Sequence, residues 1–282
     1  MVKYYSKSGV GIYTDYRENI ICDADHPILM WKANKKNEKL PDGSPYIASQ
    51  HSEDALSWNL FRSLQLTGKL SFVIDELPTQ VDVEELYFWQ PAISQWSQKV
   101  APEIQGVLNE MEPWGRNGRR QQTETDVMLR GRHQIVMIEC KLGKPNAMVR
   151  AWSRSGHRSR PMRSDYLTFM EKLGVKLFND SFDFERDGRR FYQLFRNYLL
   201  GAALSQKWDT EFSLMAIVNS LNSNLCGRSH EKEFEDFQSL LEQPSNVFLI
   251  TWQQIWGKLR EEAELEALQK WLGNHRLLGL SP

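Results

Sequence analysis

The chain lacks several features that would settle its class at once. Three cysteines, Cys22, Cys140 and Cys226, stand far apart in 282 residues, and no CxxC pair occurs. That leaves out a cysteine zinc site and a disulfide framework. No apolar run approaches the roughly 18 residues that span a bilayer; runs such as Ile135–Ile138 and Phe248–Ile250 are far shorter. The opening MVKYYSKSGVGIY has no hydrophobic signal-peptide centre. GxxxxGK(S/T), GxSxG and HxxxH spacings are absent, and Gly9-Val10-Gly11 fails as GxGxxG at Thr14. Phosphate-loop, dinucleotide, serine-elbow and helical His-pair zinc chemistry are thereby set aside. Net charge is also small: 35 Lys and Arg against 36 Asp and Glu give −1, which excludes a uniformly basic nucleic-acid coat. A reduced, cytoplasmic protein with no membrane association is the expectation.

What is present is an ordinary globular composition, 41% hydrophobic and 25% charged. The length suits one large domain with a sizeable core. The charge is unevenly placed. Trp114–Ser164 holds twelve Lys and Arg against three acids, +9, so the remainder of the chain is −10. Ten of those twelve cations are Arg, the side chain suited to bidentate phosphate contacts.

The expected organisation is a single domain over 1–282, with an irregular segment at 1–50, a core at about 52–252 and a C-terminal helix over 253–282. A helix opens at Ser52, a natural N-cap, with Leu56, Leu60 and Leu64 on one face, and ends at Gly68. Another is expected at Ala101–Met111. Thr125–Arg130 and Gln134–Cys140 read as strands of a hairpin turning at Gly131-Arg132. Phe191–Leu204 is a strongly apolar helix. Phe212–Val218 and Val247–Thr251 look like strands buried on both faces. The pattern predicts an α/β fold, a central mixed β-sheet flanked by helices.

The chemistry concentrates at Glu139-Cys140-Lys141, the only (D/E)xK triplet in the chain. On a strand, residues i and i+2 share a face, so Glu139 and Lys141 project together while Cys140 points to the opposite side. With a two-residue loop at Gly131-Arg132, Asp126 lies opposite Met137 and diagonal to Glu139. All three charged groups then converge on one face. Two carboxylates and an ammonium on buried strands are costly unless they bind something. Close carboxylates suit Mg²⁺, with Mn²⁺ as a substitute, and such an ion activates water against a phosphodiester.

These residues, Asp126 followed after twelve positions by Glu139-Cys140-Lys141, resemble the PD-(D/E)xK nuclease superfamily with its restriction-endonuclease-like core. Thr125 stands where the signature has proline. The resemblance implies catalytic roles for Asp126, Glu139 and Lys141, with Asp126 and Glu139 on the metal. It also implies a further acidic ligand from a preceding helix: Glu53, with Asp54 as its rival. The RecB-like members carry a helical Gln, which points to Gln193 in Tyr192-Gln193-Leu194-Phe195-Arg196-Asn197-Tyr198. Asn197 occupies the place where those members often have Tyr. Gln193, Arg196 and Asn197 share one helix face.

Arg116, Arg119 and Arg120 on one side, and Arg150, Arg154 and Arg158 on the other, are candidate phosphate contacts, with Arg196 beside them. Gly156 and Pro161 suggest that 150–163 is a loop. The function expected is a Mg²⁺-dependent nuclease acting on nucleic acid, DNA rather than RNA, in restriction or phage defence, as a homodimer or within a larger defence complex. The rivals are a catalytically silent module of the same fold that binds nucleic acid or protein, and a structural subunit of a larger machine.

Overall fold

A computed structural model describes residues 1–6, 10–35, 38–77, 81–94, 100–113, 122, 124–142, 159–221, 229–274 and 278, with the side chains of 159–163 excepted. The N-terminal segment pairs β1 (Val2–Tyr5) with β2 (Gly11–Tyr13) and then forms helix α1 (Pro27–Asn34). That helix is a departure from the irregular stretch expected over 1–50. His26 caps it through Nδ1, and Pro27 occupies its first position, where no N–H is needed. Next come α2 (Glu53–Leu66), α3 (Ser71–Ile74), β3 (Val83–Phe88) and α4 (Pro102–Met111). Ser52 caps α2 by accepting from the Ala55 N–H, as its sequence position predicts.

The hairpin β4 (Val127–Gly131) and β5 (Gln134–Lys141) follows. Then come α5 (Ser159–Leu173), α6 (Asp187–Arg190), α7 (Tyr192–Trp208) and β6 (Glu211–Val218), and after them α8 (His230–Gln238) and β7 (Val247–Thr251). The five-stranded sheet has the order β3-β4-β5-β6-β7. β3, β4 and β5 are antiparallel, whereas β5, β6 and β7 run parallel. Parallel neighbours need a crossover, which α5–α7 supply between β5 and β6 and α8 between β6 and β7. The result is the mixed α/β sheet of a restriction-endonuclease-like core.

Each sheet face carries its own apolar cluster. Val127, Leu129, Val136, Ile138 and Cys140 pack toward α1, α2 and the C-terminal helices. Met128, Ile135, Met137 and Leu214 pack toward α4, α5, α7 and α8. Every residue of β5 is buried, and alternation sends Glu139 and Lys141 to the α7 side.

Three expectations are corrected. The hairpin turns at Arg132-His133, and Val127 pairs with Ile138, so Asp126 falls opposite Glu139 rather than Met137. The shift is two in pairing sum, so the face is unchanged. Pro161 lies in the first turn of α5, where proline is tolerated, not in a loop. The C-terminal helix expected over 253–282 is interrupted: α9 (Trp252–Leu259) and α10 (Glu266–Gly273) are separate. Among the described residues no helix is long and apolar enough to cross a membrane.

Candidate active site

The end of β5 gathers the predicted triad. The Glu139 side chain is 2% exposed and that of Lys141 is 4%. Lys141 Nζ sits 2.6 Å from Glu139 Oε1 and 3.6 Å from Glu53 Oε2. Asp126 comes from the entry to β4, and its Oδ2 accepts the Cys140 N–H at 2.8 Å. That bond fixes the aspartate across the hairpin, against the strand that carries Glu139. Glu53 arrives from the first turn of α2, and its Oε1 accepts the Leu142 N–H at 3.0 Å. The start of α2 therefore faces the end of β5, where a helix N-terminus favours negative charge.

Charge is out of balance here. Burial first, and then repulsion from Glu139, push the Asp126 pKa well above the ordinary aspartate value. Lys141 attracts in the other direction but does not offset them. Burial alone would lower the Lys141 pKa; attraction to Glu139, Glu53 and Asp126 outweighs it and holds the ammonium charged. Among the described residues one cation thus serves three carboxylates. Glu139 Oε1 has no aligned hydrogen-bond donor, although the ammonium is close. Glu139 Oε2 accepts from Asn197 Nδ2 at 2.6 Å, and Asn197 Oδ1 in turn accepts from Thr125 Oγ1 at 2.9 Å.

The donor set fits a hard divalent cation. It consists of the carboxylate oxygens of Asp126, Glu139 and Glu53, and Mg²⁺ prefers such ligands. Among the described residues no three His, Cys, Asp or Glu groups are gathered closely enough to enclose a metal. The ammonium of Lys141 lies within ion-pair reach of both Glu139 and Glu53, in the place an ion shared by those two carboxylates would take.

The other candidates divide. Gln193 lies half-buried on α7, one turn before Asn197, and makes no side-chain hydrogen bond to a described residue. Arg196 is not available as a phosphate contact. Its Nε and a terminal nitrogen donate to the two oxygens of buried Glu112 at 2.7 and 3.1 Å, and its guanidinium lies over the Tyr192 ring. Arg116, Arg119, Arg120, Arg150, Arg154 and Arg158 lie outside the described residues. Cys140 is fully buried on the opposite face, as expected.

The sequence places Asn197 on the polar face of α7 without showing its bond to Glu139, and it does not show a second charged group. Lys32 from α1 contacts Glu38, Asp54 and Glu124. Asp54, the rival to Glu53, is therefore engaged by Lys32. The helical spacing Gln193–Asn197 was the available signal for Asn197. Nothing local in the sequence links Lys32 to residues so distant along the chain.

No curated protein and no solved structure matches the chain significantly. A family model described as Restriction Endonuclease associating with ARP matches residues 13–275, nearly the whole chain, a span that includes the end of β5. The chain belongs to that family, REase-ARP.

Proposed function

We propose that the chain is a Mg²⁺-dependent nuclease that hydrolyses phosphodiester bonds, in DNA rather than RNA, within restriction or phage defence. The single observation that carries this reading is the meeting of Asp126 and Glu139 across the β4–β5 hairpin with Lys141 against Glu139. Asp126, Glu139 and Glu53 hold the ion once the Lys141 ammonium withdraws from Glu139 and Glu53, and Mn²⁺ can substitute for it. The bound ion supplies a Lewis acid and lowers the pKa of a coordinated water. Asn197 keeps the Glu139 carboxylate in one orientation. Lys141 orients the attacking water and offsets the charge that develops on the phosphate. Gln193 serves the same site from α7, the RecB-like arrangement. The arginines at 116, 119, 120, 150, 154 and 158 grip the nucleic-acid backbone without reading its sequence. The protein acts in the cytoplasm, as a homodimer or in a larger defence complex; the family description names association with ARP, and a protein partner belongs to this reading.

A second reading, a catalytically silent module of the same fold, draws on one observation: the Lys141 ammonium lies against the carboxylates a cation would need. Plasmid degradation separates the two. The wild-type chain is expected to cut with Mg²⁺ and not with EDTA, and Lys141→Ala to cut about 10²–10³-fold more slowly. Nucleic-acid binding without Mg²⁺-dependent cleavage would establish the silent module instead.

A further inference from the structure

Lys32 lies on α1, far along the chain from the (D/E)xK triplet, and its side chain is 5% exposed. Its ammonium stands 2.9 Å from Glu38, 3.0 Å from Glu124 and 3.3 Å from Asp54, and 4.8 Å from the centroid of the Trp89 ring. Lys35 reinforces the cluster by pairing with Glu124. Three of those contacts end on segments that border a cation ligand. Glu124 precedes Asp126 by two residues, and Asp54 follows Glu53 directly. Trp89 donates its backbone N–H to the Asp126 carbonyl at 3.4 Å.

The Trp89 turn is itself under constraint. Trp89 and Gln90 have φ of +49° and +84°, a left-handed pair that hairpin turns usually build from Asn-Gly. Such residues persist only where the surroundings hold them, and they concentrate at functional sites. Lys32 over the indole is one such restraint. An ammonium buried among three carboxylates also gives little net stability compared with apolar packing, so stability is a poor account of why it is there. Placement of the neighbouring segments is a better one.

We propose that Lys32 is a positioning residue for the cation site. Its ammonium ties the chain entering β4 to the first turn of α2, and so sets Asp126 and Glu53 at fixed places about Glu139. The inference rests on the reading of Asp126, Glu139 and Glu53 as cation ligands and extends it to a residue on a separate helix.

The test is calorimetric titration of Mn²⁺ into the full chain, with circular dichroism and Tm recorded for each variant. Lys32→Met is expected to weaken Mn²⁺ binding about tenfold or more, as loss of supporting contacts around a metal site does. Lys32→Arg, which keeps the charge, is expected to recover most of the affinity. A purely structural role would lower Tm and leave the affinity of the folded protein unchanged. A folded Lys32→Met variant that binds Mn²⁺ as well as the wild type, or more tightly through simple loss of positive charge, overturns the inference. Should that variant fail to fold, Glu124→Gln keeps the shape and removes one charge of the clamp; wild-type affinity there overturns the inference equally. A wild-type chain that binds no Mn²⁺ would overturn the nuclease reading along with it, whereas a binding wild type and an equally binding Lys32→Met variant would remove the inference alone.

Discussion

Helix α7 carries two neighbouring residues, Arg196 and Asn197, that serve two differently built ionic arrangements. Arg196 completes a balanced one. Glu112 receives both guanidinium contacts, and Tyr166 donates its hydroxyl to the same carboxylate at 2.7 Å. Among the described residues one anion meets one cation, and both oxygens are satisfied. Asn197 belongs to the other arrangement, where among the described residues Lys141 is the one cation beside Glu53 and Glu139 and attracts Asp126 as well. Both arrangements are buried, so burial does not tell them apart. The excess of negative charge does. A saturated pair holds helices together; the unsaturated one carries the excess charge that the proposed cation would offset.

The sharpest way to break this contrast is to remove an anion from the balanced side. Glu112→Ala leaves the Arg196 guanidinium buried without its partner. A loss of about 3–5 kcal/mol in denaturant unfolding is expected, the usual cost of orphaning one half of a buried pair. A loss of under about 1 kcal/mol, the value typical of an exposed pair, would show that Glu112 and Arg196 are not the anchor described.

Removing a negative charge from the unbalanced side should do the reverse. Because burial and Glu139 raise the Asp126 pKa in the folded chain, the unfolded chain ionises first as pH rises. Wild-type stability is then greatest, with respect to this group, below about pH 4, the ordinary aspartate value. It declines as pH rises toward the raised pKa. Without divalent cations, Asp126→Asn is expected to match the wild type in acid and to exceed it near neutrality. The gain is about 1.4 kcal/mol for each unit by which the native pKa is raised. Unfolding curves followed across pH check this, and parallel wild-type and variant profiles would contradict it.

The triad was legible in the sequence because strand parity is robust. Gly131 looked like the turn residue, yet its role is close packing: a Cβ there would approach the Asp82 carbonyl oxygen to 2.6 Å. The turn therefore falls one residue later, at Arg132-His133. Moving both ends of the loop by one keeps Asp126 and Glu139 on the same face, so the convergence survived a wrong turn. Glu53 was legible for a similar reason, since Ser52 fixes the start of α2 and hence the direction of its first turn. Arg196 was misread because its partner, Glu112, approaches from α4 and only the folded chain brings them together. Lys32 was invisible for the same cause. Pro161 by itself reads as a loop marker, although the first turn of a helix accepts proline, and nothing in the helical reading of 253–282 marks the break between α9 and α10.

The most direct test is anomalous diffraction from a Mn²⁺-loaded crystal. One peak is expected within about 2 Å of carboxylate oxygens from both Asp126 and Glu139, with Lys141 withdrawn from its present place against Glu139. No peak there, with Lys141 still against Glu139 under saturating Mn²⁺, would contradict the cation site on which the nuclease reading stands.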